Sequence, residues 1–275
     1  MKDFRSYAEE IQQQLALQSS PLAVKMLARE EDIPEGAKRP KTDFGVCLSQ
    51  CQVFALTERH GMSIAMLKED MWCPEPVIAF GFEEPPEYFL EGHTAYPAYF
   101  ETLKAAANWA RSFPRFGVGK YLGIVSAPLA TANFEPDLVI IVCDSAQLMR
   151  LLMATAYRDG CEITSRLSAM AGCIYAVVPS MQSGECSLAI PCNGFRRYAG
   201  TQDDKMLFAV PAEKLENLVF ALKQLTTSLL PIQISTHAEY VLIDHYAEIA
   251  RLMGMKKADG SEITGKPSAK RLPWD

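Results

Sequence analysis

The chain has 275 residues, a net charge of −6, 22% charged residues and 49% hydrophobic ones. That length permits one large domain or two closely packed halves, either with a sizeable core. An acidic chain whose aromatic residues are not interleaved with Lys and Arg excludes a nucleic-acid footprint, and no apolar run reaches the length of a membrane span.

The N-terminus, Met1-Lys2-Asp3-Phe4-Arg5, leads straight into a charged amphipathic stretch, which predicts no secretory leader. The expected compartment is the cytoplasm. There the 8 cysteines would serve as free thiols, metal ligands or redox groups and not as a disulfide framework.

Residues 3–18 set Phe4, Tyr7, Ala8, Ile11 and Leu15 at helical spacing, and Ser19-Ser20-Pro21 breaks the pattern. Residues 22–27 read as a buried strand with Lys25 in its middle. Lys25 either alternates outward to solvent or faces a pocket and meets an anion. The polar stretch 30–42, with Pro34, Gly36 and Pro40, predicts a loop. Residues 47–61 predict a helix closed by Gly61, with Cys47 and Cys51 four apart on one face. A short strand follows at 63–67. Cys73-Pro74 predicts a helix start ahead of 77–82, where the dipole would favour the Cys73 thiolate. Residues 83–97 predict a loop long enough to be a lid or a binding loop, and 98–113 another helix.

Strands are expected at 121–125 and 138–143, the second apolar throughout and therefore covered on both faces. Asp144 with Gln147 predicts a capping box for a helix that stops at Asp159-Gly160. Candidate chemistry concentrates in 172–198. Gly172-Cys173 opens an apolar run to Pro179, and Gln182-Ser183-Gly184 reads as a turn. A strand over 188–191 ends at Cys192, and the turn at Asn193-Gly194 leads into Arg196 and Arg197. Cys192 is either a thiol activated by nearby N–H groups and cations or a small buried hydrophobe. A strand over 206–210 follows Asp203-Asp204, then a helix from Pro211, a last helix over 237–253 and a polar, mobile tail at 254–275.

No glycine-rich phosphate loop, dinucleotide fingerprint, nucleophile elbow or paired-histidine zinc helix occurs. Cys-x-x-Cys is missing, and Phe54 stands where a third cysteine would complete a Cys47–Cys51 run. His237 and His245 lie about 12 Å apart along a helix, too far to share an ion; His60 and His93 are isolated. What remains is the dispersed set Cys51, Cys73, Cys173 and Cys192, with Cys47 and Cys186 in reserve. Dispersed cysteine ligation suits an iron–sulfur cluster. Arg196 offers a forked grip on a carboxylate or phosphate, or else pairs with Asp203 or Asp204.

Several blocks, in order, resemble the bacterial and archaeal family called domain of unknown function 169. They are Pro21-Leu22-Ala23-Val24-Lys25; Cys51-Gln52 with Gly61; Cys73-Pro74; Lys120-Tyr121 through Ala127-Pro128-Leu129 to Glu135-Pro136-Asp137; Gly172-Cys173; Cys192-Asn193-Gly194-Phe195-Arg196; and Asp203-Asp204-Lys205-Met206. The similarity spans about residues 20–230. It implies recurrent cysteines at Cys51, Cys73, Cys173 and Cys192 and a family common in anaerobes. Many members carry a second cysteine where this chain has Phe195, which implies one ligand fewer here.

The expected fold is α+β, a single compact domain over 1–253 with a mixed β-sheet covered by helices; halves meeting near Gly160 are the alternative. Three functions stay open. In the first, Cys51, Cys73, Cys173 and Cys192 hold an iron–sulfur cluster or other metal centre, with Arg196 and Lys25 as candidates for a bound anion. The second is a cofactor-free small-molecule-binding module. The third is a thiol enzyme using Cys73 or Cys192. The expected partner is a small molecule, with neither nucleic acid nor membrane, and the apolar helices leave room for a homodimer.

Overall fold

The computed structural model describes residues 3–225 and Met253. The chain divides into two compact units, Met1–Leu229 and Leu230–Asp275, and the elements named below belong to the first. Apart from Met253, the helix expected over 237–253 and the tail lie outside the described residues.

The fold is α+β. Strands β1 (Leu22–Leu27), β2 (Ile64–Leu67), β3 (Gly123–Pro128), β4 (Leu138–Cys143), β5 (Ser187–Ala189) and β6 (Met206–Pro211) form one sheet in the order β2-β3-β1-β4-β6-β5. Every pairing between these strands is antiparallel. Among the described residues, parallel pairing is confined to two isolated bridges, Lys38 with Ile64 and Leu48 with Met71. β4 lies inside the sheet and is buried at all six positions, as its unbroken apolar run requires.

Helices cover both faces. On one lie α1 (Phe4–Leu15), α6 (Ser145–Thr155) and α9 (Leu215–Gln224), packed on Ala23, Val139, Ile141, Phe208 and Val210. The other carries α2 (Gln50–His60), α3 (Pro74–Ala79), α5 (Leu103–Ser112), α7 (Gly172–Ser183) and α8 (Asn193–Ala199), over Val24, Met66, Ile124, Ile140 and Ala209. Alternate residues of each strand feed opposite cores, the period-two rule at work.

Local signals explain most boundaries. Asp144 accepts from Gln147 N and the Gln147 side chain reaches back to Asp144 N, so α6 starts on the expected capping box. Ser49 and Gln52 make the same box for α2, and Gly61 closes it in the left-handed region. That box excludes Cys47 from the helix, so Cys47 and Cys51 do not share a helix face; Cys47 is exposed and its thiol meets the Glu69 carbonyl. The run from Cys173 to Ser183 is helical throughout, so no turn forms at Gln182-Ser183; Gly184 is the left-handed cap. Gly172 through Val178 are all buried, and a helix buried on every side shows no amphipathic period. Strand β5 stops at Ala189, short of the expected 191, and β3 runs on to Pro128 instead of ending at Val125. The expected loop at 83–97 contains a short helix, α4 (Glu87–Leu90), anchored by buried Phe89. Thr102 caps α5, so that helix begins five residues later than the pattern at 98–113 predicts.

Candidate functional site

Cys51, Cys73, Cys173 and Cys192 line one cavity of about 410 Å³. They come from four separate elements on the same face of the sheet. Each stands at the start of a helix: Cys51 second in α2, Cys73 at the N-cap of α3, Cys173 second in α7 and Cys192 at the N-cap of α8. All are free thiols.

Backbone pairing brings these helix starts together. Leu48 N donates to Asp70 O at 2.8 Å and Trp72 N donates to Leu48 O at 3.3 Å, so the chain entering α2 runs beside the chain entering α3. The Asp70 carboxylate, fully buried, ties that turn down. It accepts from Leu67 N, Lys41 N and the Arg39 guanidinium, the last at 2.5 Å. On the other side, Gly172 abuts the chain at 190–192, where a Cβ would lie 2.4 Å from Ile190 O. That close approach sets Cys173 beside Cys192. Ala171, the residue before Gly172, adopts a left-handed φ of 58°, a conformation that costs a non-glycine residue energy. Gly194 closes the ring: a Cβ there would meet Cys51 Sγ at 3.5 Å and Cys192 Sγ at 3.6 Å.

Burial dominates the electrostatics. It pushes the Cys51 thiol up to about 11, against the opposing effect of the hydrogen bond it shares with the Ser49 hydroxyl, 3.0 Å away. Burial also pushes Cys173 well above the ordinary thiol value, with neighbouring Cys192, Cys51 and Cys73 adding to it. Cys73 is raised by burial and then by Glu75, whose Oε2 accepts the thiol proton at 3.0 Å. Burial and Glu75 thus oppose the activation expected of Cys73 from its helix start. Among the described residues no Lys, Arg or His lines the cavity, and Glu75 is the one charged residue on its wall.

The remaining walls are aromatic and amide. Trp72, Tyr99 and Tyr198 rim the opening, each about half exposed; Trp72 and Tyr198 meet edge to face at 5.2 Å. Asn193 Nδ2 donates to the Tyr99 hydroxyl at 3.3 Å. Deeper, Gln50 is 1% exposed, and neither its Nε2 nor its Oε1 has a hydrogen-bond partner among the described residues. Trp109 Nε1 is sealed from solvent and equally unpartnered. An unpaired buried polar group costs roughly 1–3 kcal/mol. Neither group was singled out by the sequence. The capping box Ser49-x-x-Gln52 was its available signal, since it puts Gln50 and Cys51 together in a first turn.

Other candidates lie elsewhere. Arg196 Nη1 pairs with Asp203 Oδ1 at 2.9 Å and also donates to Gln202 O. Lys25 Nζ donates to Glu135 O at 3.1 Å, on a strand residue that does not line the cavity. Cys186 borders a different hollow of about 530 Å³, together with Cys161 and Lys214, whose ammonium pairs with Glu185. Phe195, where a second cysteine is expected in relatives, is buried and stacks on Phe54 at 6.5 Å.

Donors to one ion must share a sphere of about 2.3 Å radius for zinc and sulfur. Among the described residues no group of three or more His, Cys, Asp or Glu side chains reaches such spacing. None of the described helices is long and apolar enough to cross a membrane.

A family model described as "Uncharacterised ArCR", domain of unknown function 169, matches residues 10–221. The uncharacterised protein MJ0308 of Methanocaldococcus jannaschii is 24% identical over 226 residues, covering 81% of this chain and 95% of that protein. No solved structure matches the chain. The family match spans both sides of the sheet and all four cavity cysteines, and the chain belongs to the domain of unknown function 169 family.

Proposed function

We propose that the cavity holds a polynuclear, thiolate-bound metal centre, an iron–sulfur cluster by the chemistry of its donors. Cys51, Cys73, Cys173 and Cys192 would be the ligands. The observation that carries this reading is the gathering of these four cysteines, from four elements, around one cavity. Soft thiolates select iron–sulfur clusters, copper(I) or zinc. Cysteines drawn from dispersed positions of the chain suit an iron–sulfur cluster. Backbone N–H groups at the starts of the longer helices α2 and α7 face this region and favour negative charge, which a four-thiolate centre carries.

Each protein group then has a stated task. The four thiols each release a proton to solvent on ligation, because a bound cation overrides the effect of burial. Glu75, which accepts the hydrogen bond from the Cys73 thiol, would take that proton first and pass it outward. Trp72, Tyr99 and Tyr198 narrow the opening and limit water.

The test is a series of single Cys→Ser variants in protein reconstituted with iron and sulfide under anaerobic conditions. At positions 51, 73, 173 and 192 metal retention should weaken about tenfold or more. At 47, 143, 161 and 186 it should match the wild type. Equal retention in all eight variants would overturn the proposal.

A cofactor-free ligand pocket is the second reading, favoured by the aromatic rim and the unpartnered Gln50 amide. It expects an apolar or neutral small molecule to bind with an affinity insensitive to Cys→Ser. Thiol catalysis by Cys73 is disfavoured, because burial and Glu75 hold its proton and, among the described residues, no histidine lines the cavity.

A further inference from the structure

We infer that Gln50 and Trp109 are N–H donors to the sulfurs of the loaded centre and raise its reduction potential; this rests on the metal reading above. Both side chains line the cysteine cavity. Gln50 is 1% exposed and unpartnered at both amide atoms, so exchanging its nitrogen and oxygen positions changes nothing. Trp109 presents a single N–H, also without a partner among the described residues. Folding ordinarily does not leave three such atoms unmatched on one cavity.

The acceptors on the cavity wall include its four cysteine sulfurs, beside the oxygens of Glu75, Thr94, Tyr99, Asn193 and Tyr198. As protonated thiols, the sulfurs are weak acceptors. Once deprotonated and metal-bound they carry negative charge and become strong ones. Gln50 immediately precedes Cys51 in the first turn of α2, and its terminal torsion is soft enough to re-aim the amide. Trp109 is fixed from outside by Phe89, Phe100 and Phe113, with ring centroids 5.1–6.0 Å away, so its N–H has a set direction.

Donors to cluster sulfurs stabilise the reduced, more negative form, so they raise the potential. The change read is one electron taken up by the centre from a dithionite-class reductant, with no bond made or broken in the protein. Gln50→Met keeps the shape and removes both amide atoms. Trp109→Phe keeps an aromatic wall and removes the donor. Gln50→Glu replaces the donor with a negative charge.

The experiment is a dye-mediated anaerobic redox titration of full-length protein reconstituted with iron and sulfide, beside iron content and the visible spectrum. Gln50→Met and Trp109→Phe should each keep iron content and shift the potential negative, and Gln50→Glu should shift it furthest. If one variant fails to fold by circular dichroism, the others carry the test. Variants that load iron with an unchanged potential, or that fold and take up no iron, overturn the inference while the metal reading stands. A wild-type chain that takes up no metal overturns both.

Discussion

Gly172 and Ile190 touch so closely that a Cβ at position 172 would sit 2.4 Å from the Ile190 carbonyl oxygen. Backbone presses on backbone there, and the contact sets where α7 begins. Cys173 follows in the first turn, and Cys192 caps α8 two residues beyond Ile190. The spacing of two cavity thiols is thus fixed by a missing side chain.

Gly172→Ala should force α7 away from residues 190–192. Overpacking of this kind costs roughly 1–3 kcal/mol. The urea midpoint should fall, and iron uptake should fall more than stability does. An alanine variant with wild-type uptake would show that this contact does not set the thiol spacing.

The metal-free protein should lose stability in alkali. Burial holds Cys51 at about 11, Cys186 at about 11 and Cys143 at about 12, against an ordinary value of 9.0. The folded chain keeps protons that the unfolded chain releases, so this stabilisation is complete below pH 9 and is lost as pH rises through 11. The urea midpoint should be flat on the acid side of that window and fall across it, less steeply in Cys51→Ala. Identical slopes in the two proteins would count against a perturbed Cys51.

Glu75 adds its charge to burial in holding the Cys73 proton. Glu75→Gln should therefore speed iodoacetamide labelling of Cys73, by about tenfold for each unit the thiol descends. Labelling should stay slower than at exposed Cys47, because burial is the larger cause. Peptide mapping by mass spectrometry reads both sites, and an unchanged Cys73 rate would remove Glu75 from the account.

Arg39 and Asp70 form the polar anchor beneath the Cys73 turn. Asp70 is fully buried, and Arg39 Nε donates to it at 2.5 Å. Arg39→Met leaves that carboxylate unpaired and should cost about 3–5 kcal/mol. Adding Asp70→Asn should recover part of the loss, since the two positions are coupled. Urea denaturation of the two single variants and the double variant measures the recovery.

Much of this architecture was legible in the sequence. The unbroken apolar run of β4 and the Asp144–Gln147 box are local signals, and both hold. The four cysteines were legible by their recurrence in the family pattern. Their convergence was expected as one of three readings, but the contacts that produce it were not legible, because they join residues far apart in sequence, such as Gly172 with Ile190 and Leu48 with Asp70. The helix at Gly172–Ser183 was hidden because burial on every face erases the helical period. Arg196 resembles an anion clamp until Asp203 is seen beside it. Gln50 drew no notice, since an unpaired amide is visible only once its surroundings are known.

The central claim is best tested by purifying the protein without oxygen, then recording its visible spectrum and metal content per chain before and after reconstitution with iron and sulfide. A broad brown absorption with stoichiometric iron, lost on Cys→Ser at 51, 73, 173 or 192, is the predicted result. A colourless, metal-free protein after reconstitution would contradict it.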